Sequence, residues 1–236
     1  VKLSINILTW NTLPTLNATL EILKQELMGK KAEIIIVDNG SIDGCQDLAT
    51  IKNPTNLGIS KGKNQGVDAS KGEYIFLIDG DVIPVPNSIN MLENYLDTHP
   101  ECKAIGFFPD KFTNRKNTFR NEHHESYCSK LDPVRIHHGH CIYYGIYRRE
   151  VFEKIRFDES YGPGYGYEDL DSWMQMQAKG IDQWAAGMNT LIGKYYHAIN
   201  SSVNNPNCLG HVEYMKSSMA RSQIFKKKWQ KATVHA

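Results

Sequence analysis

The sequence predicts an α/β fold in which a mostly parallel central sheet is flanked by helices. Strand-like and helix-like segments alternate from Leu3 to Ile78 at spacings that need crossover connections, the pattern of a parallel sheet. The run Tyr74-Ile75-Phe76-Leu77-Ile78 is continuously apolar, as a strand buried on both faces must be. Each early strand segment stops on polar residues, and in such sheets ligands bind beyond the carboxyl ends of the strands. With 236 residues and 41% apolar content, the chain can bury one substantial core.

In chain order, Leu3–Leu8 reads as the first strand, closing on Thr9-Trp10-Asn11. Leu13, Leu16, Leu20, Leu23 and Leu27 then recur at three- and four-residue steps. That stripe marks an amphipathic helix, capped by Thr12, entered through Pro14 and ended at Gly29. Glu33–Val37 is a second strand running into Asp38-Asn39-Gly40-Ser41, and a short third strand is expected around Ala49–Ile51. A helix from Ser60 to Ser70, despite Gly62 and Gly66, would stop at Gly72 before the Tyr74–Ile78 strand. Asn87 would cap a helix to about Thr98 with Ile89, Leu92 and Leu96 inward, and Lys103–Phe108 is a further strand.

From Pro109 to His140 the chain is polar and aperiodic, which reads as a functional, acceptor-facing loop. Its histidines (His123, His124, His137, His138, His140) lack the spacing of a zinc site. A strand over His140–Tyr147 and a short helix over Arg148–Ile155 follow. Ser160–Tyr167, rich in glycine and tyrosine, is an irregular loop. The next helix would carry Glu168 and Asp169 in or before its first turn, face Leu170, Trp173, Met174 and Gln177 to one side, and stop at Gly180. Asp182–Ala185 and Leu191–Tyr196 read as two last strands, the second ending on His197. A helix from Cys208 to Lys231 closes the chain. Its Arg221, Lys226, Lys227, Lys228 and Lys231 are expected to form a solvated face, or alternatively a surface for a phosphate-bearing acceptor.

The chemistry concentrates at Asp79-Gly80-Asp81. A buried strand has no local reason to end in two carboxylates unless a cation compensates them, and Gly80 lets the backbone turn and approach a ligand closely. Thr9/Trp10/Asn11, Asp38/Asn39 and Asp79/Asp81 would thus face one crevice at three successive strand ends.

With these stretches assembled, the chain resembles the family 2 glycosyltransferases of the GT-A fold. The likeness runs from Lys2 to Ser202. It is carried by Thr9-Trp10-Asn11, Ile36-Val37-Asp38-Asn39-Gly40-Ser41, Asn56-Leu57-Gly58 leading into Gly62-Lys63-Asn64-Gln65-Gly66, Asp79-Gly80-Asp81, Tyr167-Glu168-Asp169 and His197. The resemblance implies a nucleotide-sugar donor, UDP-linked, held by Thr9, Trp10, Asn11, Asp38, Asn39, Gly58, Lys63, Asn64, Asp79 and Gly80. Trp10 would stack on the base where the family has a Tyr, and Asp38 would read a pyrimidine edge. Lys63 stands where an Arg often faces the nucleotide, supplying charge without a bidentate fork. Asp81, Asp79 and His197 would hold Mn²⁺ or Mg²⁺, hard ions suited to carboxylate and phosphate oxygens. Asp169 is the expected general base, with Glu168 helping to bind acceptor or sugar and with Tyr165, Gly166 and Tyr144 on the acceptor side. One base with direct displacement inverts the anomeric carbon. A catalytic domain is expected over 1–202, its nucleotide-sugar half about 1–108 and its acceptor half about 109–202, with 203–236 packed on it.

The acceptor is read as a glycan or lipid-linked sugar. One alternative is a phage-type DNA glycosyltransferase acting on hydroxymethylcytosine, and another is a non-catalytic nucleotide-sugar-binding module. A sugar-nucleotide pyrophosphorylase would need a glycine-rich loop that Leu8–Pro14 lacks. The net charge of +1 argues against nucleic-acid binding by bulk electrostatics. No apolar run approaches a membrane span, no secretory signal is seen at the N-terminus, and the start at Val1 reads as a processed or trimmed chain. Five scattered cysteines without a CxxC pair fit free thiols in a cytoplasm, bacterial or of an infected host.

Overall fold

The computed structural model describes residues 1–84, 86–107, 133–135, 144–164, 166–186, 196–197 and 211–230, with backbone alone at 107, 133–135, 185–186, 196–197 and 211–215. The expected 109–140 loop with its histidines, apart from 133–135, and Cys128, Cys141, Cys208 and Tyr165 lie outside them. In order the elements are β1 (Leu3–Thr9), α1 (Leu13–Glu26), β2 (Ala32–Asp38), α2 (Cys45–Leu48), β3 (Ile51–Lys52), α3 (Ile59–Ala69), β4 (Tyr74–Asp79), β5 (Val82–Ile83) and α4 (Ser88–Thr98). Then come β6 (Ala104–Phe107), β7 (Pro133–Arg135), β8 (Tyr144–Arg148), α5 (Glu150–Lys154), a 3-10 turn (Glu159–Tyr161), α6 (Glu168–Ala178), β9 (Gln183–Ala186), β10 (Tyr196–His197) and α7 (His211–Trp229).

The main sheet has the order β3-β2-β1-β4-β8-β6-β9-β7. Its first four strands are parallel, as the alternating elements predict; β8 runs antiparallel to both β4 and β6. β4 is buried on both faces. Tyr74, Phe76 and Ile78 enter a core shared with Leu16 and Leu23 of α1 and with Ile89, Leu92 and Leu96 of α4. Ile75 and Leu77 face the opposite core, with Val67 of α3, Phe152 of α5 and Met176 of α6. The glycines of α3 are what allow that helix to lie close to β1. A Cβ on Gly62 would come 2.3 Å from Leu8 Cδ1, and one on Gly66 3.2 Å from Asn6 Cγ.

Several local expectations are corrected. Thr12 does not cap α1: its hydroxyl shares a hydrogen bond with Thr9, and Leu13 N–H donates to Asp43 Oδ2 at 2.8 Å instead. Asn87 adopts φ +69 and makes no side-chain cap. The Glu26 carboxylate lies by the backbone N–H groups of Asn87, Ile89 and Asn90, short of a well-formed hydrogen bond, and burial pushes it up to about 7. α3 ends at Ser70, whose hydroxyl donates to Gly66 O, so Gly72 serves close packing against Ser4 rather than termination. The third strand falls at Ile51–Lys52, after a short helix the periodicity did not reveal. α6 buries Glu168, Asp171, Ser172, Trp173 and Met176, a face displaced from the apolar one expected, because polar partners meet it there.

Candidate active site

The parallel register brings three carboxyl strand ends side by side. Thr9 pairs with Asp38, and Leu8 with Asp79. Behind β4, the two-residue strand β5 pairs with β10, setting the backbone of His197 opposite Val82, next to Asp81.

Around the β1 and β2 ends the predicted donor residues are mostly tied to one another. Asp38, 1% exposed, accepts from Gly40 N–H at 3.2 Å and Ser41 N–H at 3.1 Å. Asn39 donates to Asn56 Oδ1 and Gly58 O, and accepts from Leu57 N–H and Asn53, so its amide fixes the loop leading to Gly58. Asn11, at φ +54, accepts from Ile42 N–H at 2.8 Å. Asn64 bonds Phe157 O and Glu159, holding the segment after α5. These buried amides and hydroxyls build the crevice wall, and Asn39 and Asn64 brace its loops. Gly80 likewise serves the protein's own packing, since a Cβ there would stand 2.7 Å from Thr12 Oγ1 and 2.8 Å from Thr9 Cβ. Tyr144 is corrected outright. It is 1% exposed, its hydroxyl pairs with Ser88 Oγ at 2.7 Å, and its ring meets Phe76 edge-on, so it belongs to the core rather than to an acceptor surface.

Among the predicted residues whose exposure is described, those that keep surface are Trp10, Asp79, Asp81, Gly166 and Asp169. Two of the acids converge on one cation. Lys63, rising from α3 with 5% of its side chain exposed, donates to Asp169 Oδ1 at 2.9 Å and stands 3.7 Å from Asp79 Oδ1. Burial alone would lower the Lys63 pKa, but Asp169 and Asp79 outweigh it and hold the ammonium well above its ordinary range. Asp169 keeps 15% and Asp79 31% of the side chain exposed, so each can present a carboxylate outward while pairing inward.

Glu168, beside Asp169, is buried, and its Oε2 accepts from Arg221 of α7 at 3.1 Å. Burial first and then the Asp169 charge push its carboxyl up to about 7, against the pull of Arg221 and Lys63. The Glu168 carboxylate thus turns inward, toward Arg221. Sequence reasoning missed Arg221 at the site, because a helical arginine among lysines gives no sign of burial. Lys228 is also used internally, on Asp158 at 2.7 Å and Asp171 at 2.9 Å. The basic helix is thus a docking face at Arg221 and Lys228, while Lys226 and Lys227 stay exposed.

The sequence model of glycosyl transferase family 2 matches residues 4–156, well over half of the chain. The chain belongs to glycosyl transferase family 2. An uncharacterized glycosyltransferase, MJ1057 of Methanocaldococcus jannaschii, is 24% identical over 154 residues, 62% of this chain and 49% of the relative. Among solved structures, S. aureus TarS 1–349 in complex with UDP-GlcNAc superposes with a TM-score of 0.58 at 17% identity, over 84% of this chain and 58% of that one. The mannosyltransferase PcManGT of Pyrobaculum calidifontis, in complex with GDP-Man and Mn²⁺, gives 0.55 at 17% identity, over 84% of this chain and 59% of that one. Both likenesses show the fold, which is the GT-A arrangement expected. The chain spans at most about half the length of the curated relatives it matches. These relatives are bacterial and archaeal, and the likeness to phage DNA-modifying enzymes has no support among them. In this family 2 chain, Glu168, Asp169 and Arg221 all lie beyond the matched residues. Among the described residues no helix is long and apolar enough to cross a membrane.

Proposed function

We propose that the chain is the catalytic unit of a metal-dependent, inverting glycosyltransferase. It moves a sugar from a nucleoside-diphosphate sugar, UDP-linked in our reading, to a hydroxyl of a glycan or lipid-linked acceptor. The observation that carries this reading is the meeting of Asp79 and Asp169 on the buried Lys63. One acid ends the strand on the donor side, the other opens the helix on the acceptor side, and the shared cation fixes their separation.

Asp169 accepts the proton of the acceptor hydroxyl as that oxygen bonds the anomeric carbon. The bond from that carbon to the diphosphate oxygen breaks on the opposite side, and its electron pair leaves with the nucleotide. Lys63 holds the Asp169 carboxylate in place through its 2.9 Å contact, and Trp10 offers a half-buried face for the base. Asp79 and Asp81 fit a divalent ion, because two part-exposed carboxylates leave further positions for phosphate oxygens and water. The backbone pairing of His197 with Val82 favours that histidine as a third ligand. Mn²⁺ or Mg²⁺, when bound there, would supply Lewis-acid stabilisation of charge on the leaving diphosphate. PcManGT with GDP-Man and Mn²⁺, and TarS with UDP-GlcNAc, support this donor chemistry. Cytoplasmic residence belongs to the same proposal, supported by Cys45 and Cys102 being buried free thiols.

The test is a panel of nucleotide-sugars with Mn²⁺, read first as thermal stabilisation and then as transfer to glycan and lipid-linked acceptors by mass spectrometry. A UDP-sugar that stabilises the protein and is consumed supports the reading. A panel that neither stabilises nor is consumed overturns it.

A further inference from the structure

The C-terminal helix reaches the loop that carries the site's acids through one side chain. Arg221 is buried, with 3% of its side chain exposed. Nε donates to Tyr161 O at 3.1 Å, one terminal nitrogen to Glu168 Oε2 at 3.1 Å and Gly166 O at 3.5 Å, and the other to Gly162 O. A single planar fork therefore holds three loop carbonyls and the first residue of α6.

The loop is shaped to receive α7. Gly162, Gly164, Gly166 and Tyr167 all have positive φ, a conformation uncommon for a residue with a side chain such as Tyr167. A Cβ on Gly164 would fall 1.9 Å from Ser217 Oγ, and the Tyr167 and Phe225 rings lie 5.4 Å apart. The loop's other side meets the donor wall: a Cβ on Gly58 would fall 2.3 Å from Gly162 O. Arg221 thus grips a segment that touches both halves of the crevice.

We propose that Arg221 is a positioning residue for sugar transfer: by clamping the Tyr161–Gly166 carbonyls and the Glu168 carboxylate, it makes α7 part of the acceptor side and sets where Asp169 stands. The inference rests on the glycosyltransferase reading above. Lys228 is the internal comparison. It docks the same helix on Asp158 and Asp171, and its two ion pairs involve neither the loop carbonyls nor Glu168.

The experiment compares Arg221→Gln, Arg221→Lys and Lys228→Met with the unaltered chain, well below each melting temperature. It measures turnover, donor affinity, the pH–rate profile and amide exchange over residues 161–169. Arg221→Gln is expected to lower turnover on the order of 10²-fold with little change in donor affinity, and to speed exchange in the loop. Glu168 is faced by Asp169 on its own helix, Lys63 of α3, Tyr161 of the loop and Arg221 of α7. Losing the Arg221 cation, with Lys63 still in place, moves any pH limb set by Glu168 to higher pH. Arg221→Lys keeps charge without the fork and should lie between, and Lys228→Met should lower only the melting temperature.

Turnover and pH profile unchanged in Arg221→Gln overturn the proposal, as does an equal loss in Lys228→Met. If Arg221→Gln does not fold, full turnover in Arg221→Lys overturns it. If the unaltered chain turns over no nucleotide-sugar, the glycosyltransferase reading fails by itself. Loop exchange unchanged in the Arg221 variants then overturns the clamp separately.

Discussion

Lys63 Nζ lies 2.9 Å from Asp169 Oδ1, so a helix packed under the central strand is joined to the first turn of a helix more than a hundred residues later in the chain. Removing one partner of a buried pair strands the other, which costs about 3–5 kcal/mol. Lys63→Met is therefore expected to lower the melting temperature by roughly 6–20 °C and to reduce turnover as Asp169 loses its anchor. Calorimetric melting and initial rates check this. A variant with unaltered stability would mean the two acids do not depend on Lys63.

Tyr144 separates core from acceptor surface. Tyr144→Phe leaves Ser88 Oγ without this buried partner and should cost about 1–2 kcal/mol by denaturant unfolding. The acceptor KM should stay unchanged, and a rise would return Tyr144 to the acceptor side.

Much of the fold is legible in the sequence because local rules and tertiary demand agree. The continuous apolar run of β4 needs apolar neighbours on both faces and receives them. The strand ends at Thr9, Asp38 and Asp79 are visible because polar groups interrupt apolar runs at the same edge of the sheet. The capping of α1 is not legible, since Asp43 reaches Leu13 from a loop thirty residues away and any cap reading from neighbours favours Thr12. The site divides in the same way. Asp79 and Asp169, singled out by motif chemistry, do meet in space on Lys63. The inward turn of Glu168 depends on Arg221, a long-range partner that helical periodicity cannot place.

Stability should fall as pH rises from about 4.5 to about 7. The buried carboxyls of Glu26 and Glu168 are both pushed up to about 7, so the folded chain binds protons more tightly than the unfolded chain across that window, and ionisation is penalised above it. Asp43, Asp97, Asp158 and Glu159 are held below their ordinary values and work oppositely, so their stabilisation is lost as pH falls below about 4. Glu26→Gln should flatten the upper slope by roughly 1–3 kcal/mol, allowing for partial solvent screening. Urea midpoints at several pH values give the answer, and a variant with the wild-type slope would remove Glu26 as its source.

Asp81→Ala should abolish metal-dependent donor binding while leaving the fold intact, because Asp81 is part-exposed and outside the core. Titration calorimetry with a nucleotide-sugar and Mn²⁺ measures it. Unchanged affinity would take the donor metal away from this acid pair.

The central claim is that Asp169 is the base, poised by Lys63 opposite the donor acids. Turnover of Asp169→Asn on its acceptor, measured beside its nucleotide-sugar affinity, tests this most directly. Turnover should fall by roughly 10²–10⁴ with donor affinity near that of the unaltered chain. Wild-type turnover in Asp169→Asn would contradict it.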